Sequence, residues 1–160
     1  MIKVLSVLLV LPLFFLACSD SSKLQDQIDN LKLQRTSEYK PGFGEFMTYI
    51  QIHHAKLWFA GENANWKLAD FELNEIKETL EAIQKYQQER IESQALPIIY
   101  PALDSIRAAI QRQDQKFFVQ SFTTLTNTCN SCHQAVKFEF NVVKIPESPP
   151  FSNQDFSVKR

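Results

Sequence analysis

The chain has 160 residues, room for one ordinary domain of about 100–150 residues plus appendages. Its 17 basic and 18 acidic residues nearly balance, which leaves no basic patch for nucleic acid and no polyanionic tail. Glycine stands only at positions 42, 44 and 61, which excludes a phosphate-cradling loop further along, and the proline-free stretches 42–96 and 102–145 favour an all-α fold.

Residues 1–17 read as an export signal. Lys3 supplies the positive start, and residues 4–16 form an apolar core interrupted by Pro12. That core is shorter than the roughly 20 residues a membrane-spanning helix needs. The run Phe15-Leu16-Ala17-Cys18 resembles a bacterial lipoprotein processing site, although Phe15 stands where leucine is usual. The resemblance implies lipidation of Cys18, a membrane anchor, and a location on the periplasmic side. The alternative is cleavage after Ala17 and a soluble periplasmic protein, which the bulky Phe15 disfavours. Residues 18–44 form a polar tether. Within it Leu24, Ile28 and Leu31 have helical spacing, so a short helix is expected there.

The first long helix is expected over 46–60. Met47, Ile50, His54 and Leu57 share one stripe, flanked by Phe46, Tyr49, His53 and Ala60, with Gly61 as a C-terminal stop. The second is expected from Trp66 to about Ile91. Ala69, Leu73, Ile76, Leu80 and Ile83 keep a 4-3-4-3 rhythm, opposite a charged face of Glu72, Glu75, Lys77, Glu78, Glu81 and Lys85. Pro97 and Pro101 bracket the turn into a third helix, whose seam is Ile99, Leu103, Ile106 and Ile110. Asp114 is the expected N-cap of a fourth helix over 115–137, with Phe118, Phe122, Leu125, Cys129, Cys132 and Val136 on its apolar seam. Beyond it, the alternation of Phe138, Phe140 and Val142 predicts an extended segment. The proline-containing remainder shows no periodicity, and packing across the helix ends or loose order are both open.

Within the fourth helix, Cys129-Asn130-Ser131-Cys132-His133 is the signature for covalent haem attachment: two thiols that add to the vinyl groups, then an iron-ligating histidine. A structural zinc site wants four ligands, and the adjacent His53 and His54 lack the spacing to complete one. A thioredoxin-like pair belongs at a helix N-terminus beside a parallel sheet, and neither is in sight. One covalent haem c per chain is therefore expected. The other methionines and histidines are Met1, Met47, His53 and His54, so a strong sixth ligand has to come from the first helix. His54 is the first candidate, Met47 the second and His53 the third. Met47 also reads as a flexible core filler, and His54 as a buried, hydrogen-bonded histidine. Trp58, Phe59, Trp66, Phe117 and Phe118 read as core or haem-wall packing.

Four amphipathic helices over roughly 44–137, with Cys129, Cys132 and His133 in the last, resemble the class II c-type cytochromes, the cytochrome c-prime group. The resemblance implies an antiparallel four-helix bundle over 45–138, followed by an irregular tail over 139–160. It implies His133 as proximal ligand and a first-helix residue on the distal side. Relatives of that group often dimerise through helices, so a homodimer is among the expectations.

The expected function is electron transfer to redox partner proteins at a membrane surface, with no enzymatic activity. Ligation by His54 fills both axial sites and prevents small-ligand chemistry. The alternative is a five-coordinate haem that binds or senses nitric oxide or carbon monoxide. Peroxidase-like chemistry lacks a marked distal acid–base constellation, and a haem-free lipoprotein interaction module is the remaining reading.

Overall fold

The structure, a computed structural model, describes residues 21–32 and 41–158. The export signal, the lipidation candidate Cys18 and residues 33–40 of the tether lie outside the described residues. The chain divides into two compact units, Met1–Lys40 and Pro41–Arg160. The described part of the first is helix α1, residues 21–32. Its Leu24, Ile28 and Leu31 are exposed, and Gln25 and Lys32 both donate to Asp29.

The second unit is all-α, with no strand among the described residues. Its elements are α2 (Phe43–Glu62), α3 (Trp66–Tyr86), a short α4 (Ile91–Ala95), a 3-10 turn (Leu96–Ile99), α5 (Tyr100–Arg112) and α6 (Gln115–Ala135). Helix α2 packs on α3 and α6, and α5 packs on the same two. The seam residues named for α3 and α5 are buried where the periodicity expects them, as are Phe118, Phe122 and Leu125 of α6. Removing that apolar surface from water is what holds these helices, since isolated helices of such length are marginal. Among the described residues no helix is long and apolar enough to cross a membrane.

Local chemistry sets the helix starts. Asn65 caps α3 by accepting from the Leu68 amide at 3.3 Å, and Asp114 caps α6 by accepting from the Phe117 amide at 2.9 Å. Three helices end alike, each on a non-glycine residue in the left-handed region: Ala64, Gln113 and Lys137. After α2, the amides of Ala64 and Asn65 reach back to the carbonyls of Gly61 and Ala60. After α5 and α6 the same pair of bonds recurs, the last being Phe138 N–H to His133 O at 2.7 Å.

Several expectations are corrected. Gly61 is not a left-handed stop; it is a buried helical residue, and α2 runs past it to Glu62. Its role is close packing, since a Cβ there falls 2.1 Å from Phe118 Cε1. Helix α3 ends at Tyr86 because its apolar rhythm stops at Ile83, and the next seam positions, Gln87 and Arg90, bring no apolar area to bury. Gln87 instead donates to Pro41 O at 2.9 Å and accepts from Ser93 Oγ at 2.6 Å, which turns the chain into α4. Glu72 leaves the solvated face assigned to it. It is 1% exposed, facing α2, where His53 Nδ1 donates to it at 2.6 Å and Lys56 Nζ lies 3.9 Å away. Residues 138–142 form a turn rather than an extended segment, closed by Asn141 N–H to Phe138 O at 2.9 Å.

The tail is packed. Lys56 lies over the Phe151 ring at 5.7 Å, and Phe156 is buried against Phe59 with centroids 5.7 Å apart. Asn65 Nδ2 donates to Phe156 O at 3.2 Å. The tail thus returns from the end of α6 along α2 to the start of α3.

Candidate functional site

Helix α6 carries Cys129, Cys132 and His133 in its last two turns. Its seam is sealed through Thr126 and then emerges, so both cysteines are half-buried and both are free thiols. Burial, with a smaller contribution from Cys132, pushes the Cys129 thiol up to about 12, and burial raises Cys132 too. At neutral pH these are thiols rather than thiolates. That disfavours a disulfide-exchange pair, whose attacking sulfur needs a lowered pKa.

The turn after α6 orients His133. The His133 Nδ1–H donates to the Asn141 carbonyl at 2.6 Å, because a carbonyl only accepts. That bond places a proton on Nδ1, so Nε2 is the nitrogen that carries the lone pair whenever the ring is neutral, the form in which imidazole ligates iron. Asn130, between the cysteines, holds Val143 from both sides. Its Oδ1 accepts from Val143 N–H, and its Nδ2 donates to Val143 O, each at 2.8 Å. Sequence reasoning missed these partners, because nothing in the tail's composition marks Asn141 or Val143. Two free thiols three residues apart on one helix, with an adjacent imidazole bearing a free Nε2, form a donor set that fits a covalently attached haem.

The α2 candidates separate onto different faces. His54 is 3% exposed, with its ring 4.4 Å from Phe122. Its Nε2–H donates to Thr126 Oγ1 at 2.9 Å, since the Thr126 hydroxyl proton is committed to Phe122 O at 3.0 Å. Burial lowers His54 from 6.5 to about 4, so it is neutral at pH 7. His53 faces α3 instead. It binds Glu72, and its Nε2 lies 3.8 Å from Glu75 Oε2. Met47 is half-buried and packs against the hydrophobic core, as Ile50, Cys129 and Ile145 also do.

The contacts between α2 and α6 give a register. His54 meets Phe122 and Thr126, Trp58 meets Phe118 and Phe122, and Gln115 donates to Glu62 O. Carrying that register on by one and two helical turns puts Ile50 level with residues 126–130 and Met47 level with the stretch from Cys129 to His133. His54 therefore sits about two turns deeper than the motif histidine. Trp58, Trp66, Phe118 and Phe122 form one aromatic core with centroid separations of 4.9 to 6.4 Å. Phe117 packs against the edge of the hydrophobic core with Arg112 over its ring.

Among the described residues, no three His, Cys, Asp or Glu side chains gather as a metal cluster, and the cysteine pair is not joined by His53 or His54. Two surface concavities, one beside Glu62 and Gln115 and one beside Asn65 and Gln113, lie at the other end of α6 from the motif.

The titration of His54 has a measurable consequence. Between pH 6.5 and about 4 the unfolded chain binds a proton at this position and the folded chain does not, so stability falls as the pH falls through that window. The expected loss is about 3 kcal/mol between pH 7 and pH 4. Urea unfolding at pH 7, 5.5 and 4.5 checks it against His54→Gln, which should lose most of that pH dependence; equal slopes for the two proteins contradict the assignment.

No family model, curated protein or solved structure matches this chain.

Proposed function

We propose that the chain is a c-type cytochrome with one covalent haem c, built as an antiparallel four-helix bundle of the class II kind, and that it transfers electrons. The observation that carries this reading is His133, whose Nδ1–H is held by the Asn141 carbonyl so that Nε2 is free, beside two free thiols on the same helix. Short connections at 63–65 and 113–114 and the opposed residue order of the α2–α6 contacts support the bundle.

Haem supplies one-electron chemistry at iron, and this chain's residues bind it, orient it and set its surroundings. Cys129 and Cys132 form the thioethers, by addition of each S–H across a vinyl group. His133 is the proximal ligand. Met47, which the α2–α6 register brings level with the stretch from Cys129 to His133, is the distal residue we favour. His54 is held by Thr126 and has to break that bond to reach iron, and His53 is engaged by Glu72. The same burial of His54 favours one second reading: if Met47 does not ligate, the distal face is apolar and the protein binds nitric oxide or carbon monoxide. Attachment through a lipid on Cys18 at the periplasmic face, with redox proteins as partners, completes the proposal.

Protein matured with a cytochrome c biogenesis apparatus is expected to retain haem through denaturing electrophoresis. Replacing Cys129 and Cys132 together by serine should reduce that covalent haem to background. Visible spectra of oxidised and reduced protein, with and without carbon monoxide, then read the spin state and access to iron. Protein without covalent haem under these conditions sinks the reading.

A further inference from the structure

The residue between the two cysteines does more than fill a spacing. Asn130 lies one turn before His133, and both grip the same segment. Asn130 pairs with the amide and the carbonyl of Val143 at 2.8 Å each, as a neighbouring strand would. His133 donates to the carbonyl of Asn141, two residues earlier, at 2.6 Å. Between helix and clamp the segment is closed by three backbone bonds, Lys137 N–H to Gln134 O, Phe138 N–H to His133 O and Asn141 N–H to Phe138 O. Nothing buries the side chains of residues 139–142: all four are exposed, Phe140 at 78%. The position of the Asn141 carbonyl therefore depends on hydrogen bonds, and the clamp on Val143 is the one that fixes the far side of the turn.

We infer that Asn130 is a positioning residue for His133: by clamping Val143 it holds the Asn141 carbonyl at the proximal imidazole, so that the C-terminal segment tunes the redox potential. This role rests on the cytochrome reading above. A histidine whose Nδ1–H is donated to a carbonyl is a stronger donor at Nε2, and a stronger donor stabilises the oxidised iron. Releasing the carbonyl weakens the donor and moves the potential upward. Ser131, the other residue between the cysteines, is exposed and bonds only to Asn127 O within its own helix, which makes it an internal control.

The test uses haem-loaded protein. In Asn130→Ala, haem content per chain should equal wild type, the Val143 amide should exchange about 30-fold faster by hydrogen-exchange NMR, and the midpoint potential should shift positive. Asn130→Asp keeps the acceptor for Val143 N–H and loses the donor to Val143 O, so its shift should be intermediate. Val143→Pro removes the amide from the other side and should reproduce the shift of Asn130→Ala; the double variant should add nothing further, because both act on one clamp. Ser131→Ala should leave the potential unchanged. A wild-type potential in Asn130→Ala despite faster exchange at Val143 overturns the positioning role. Equal exchange at Val143 in Asn130→Ala and wild type overturns the clamp itself. Wild-type protein that carries no covalent haem removes the cytochrome reading, and this role with it.

Discussion

Gly61→Ala should destabilise the protein by about 3 kcal/mol, although the same change in an exposed helix stabilises by about 1 kcal/mol. The sign is set by Phe118. An added Cβ would lie 2.1, 2.2 and 2.6 Å from three atoms of that ring, where ordinary contact begins near 3.5 Å. The ring has nowhere to go, being fully buried among Trp58, Trp66 and Phe122. Either α2 backs away from α6, opening the seam that leads to the motif, or the ring leaves its rotamer. For a unit of this size the melting temperature should fall by roughly 10 °C. Thermal unfolding followed by circular dichroism measures it, and a melting point at or above wild type rejects the close-packing account. Phe118→Leu should relieve part of the penalty in the double variant, giving a favourable coupling in the cycle. Ala64→Gly makes the opposite case. Ala64 is the residue that occupies the left-handed position after α2, so glycine there should stabilise by about 1 kcal/mol.

If the proposed ligation by Met47 holds, Met47→Leu should convert a low-spin haem that ignores carbon monoxide into a high-spin one that binds it, while His54→Ala should leave the spin state unchanged. The first effect arises from the register of α2 on α6, which brings Met47 level with the stretch from Cys129 to His133. Leucine keeps the volume and removes the sulfur lone pair, so the bundle survives and only ligation is lost. The second arises from the engagement of His54 Nε2 with Thr126 under Phe122. That substitution acts on folding: it opens a cavity and removes the donor to Thr126, at a cost of about 2–4 kcal/mol. Absorption spectra of the two variants, reduced and with carbon monoxide, separate the readings. Loss of the low-spin spectrum in His54→Ala with none in Met47→Leu makes His54 the ligand; a wild-type haem already high-spin makes the far side of the iron open.

The parts of the molecule that were legible have a common physical basis. The α3 rhythm from Ala69 to Ile83 and the α6 rhythm from Phe118 to Leu125 are statements about which side of a helix is apolar, and burial tracks that side directly. Asp114 capping is a local hydrogen bond, readable from one residue and its position. The placement of Cys129, Cys132 and His133 is legible for the same reason: both thiols and the imidazole lie on one helix, so their relation depends on spacing alone. Where a residue's role depends on a distant segment, spacing carried no such information. Glu72 looked like a member of a solvated charged face because its partners, His53 and Lys56, belong to α2. Gly61 looked like a stop because Phe118 is 57 positions away in the chain. The tail looked unpatterned because what holds it, Asn130 Oδ1 and Nδ2, the His133 ring and the Phe59 ring, is supplied by the helices it crosses.

By itself, then, the sequence determined an all-α chain with apolar seams on its long helices and a Cys-x-x-Cys-His run near the end of the last of them, because these arise from local periodicity and covalent spacing. The tertiary structure decided which face of α2 each histidine occupies, which glycine makes room for a ring, and which carbonyl holds His133 Nδ1–H. Those depend on distances between segments remote in the chain, and only packing creates them.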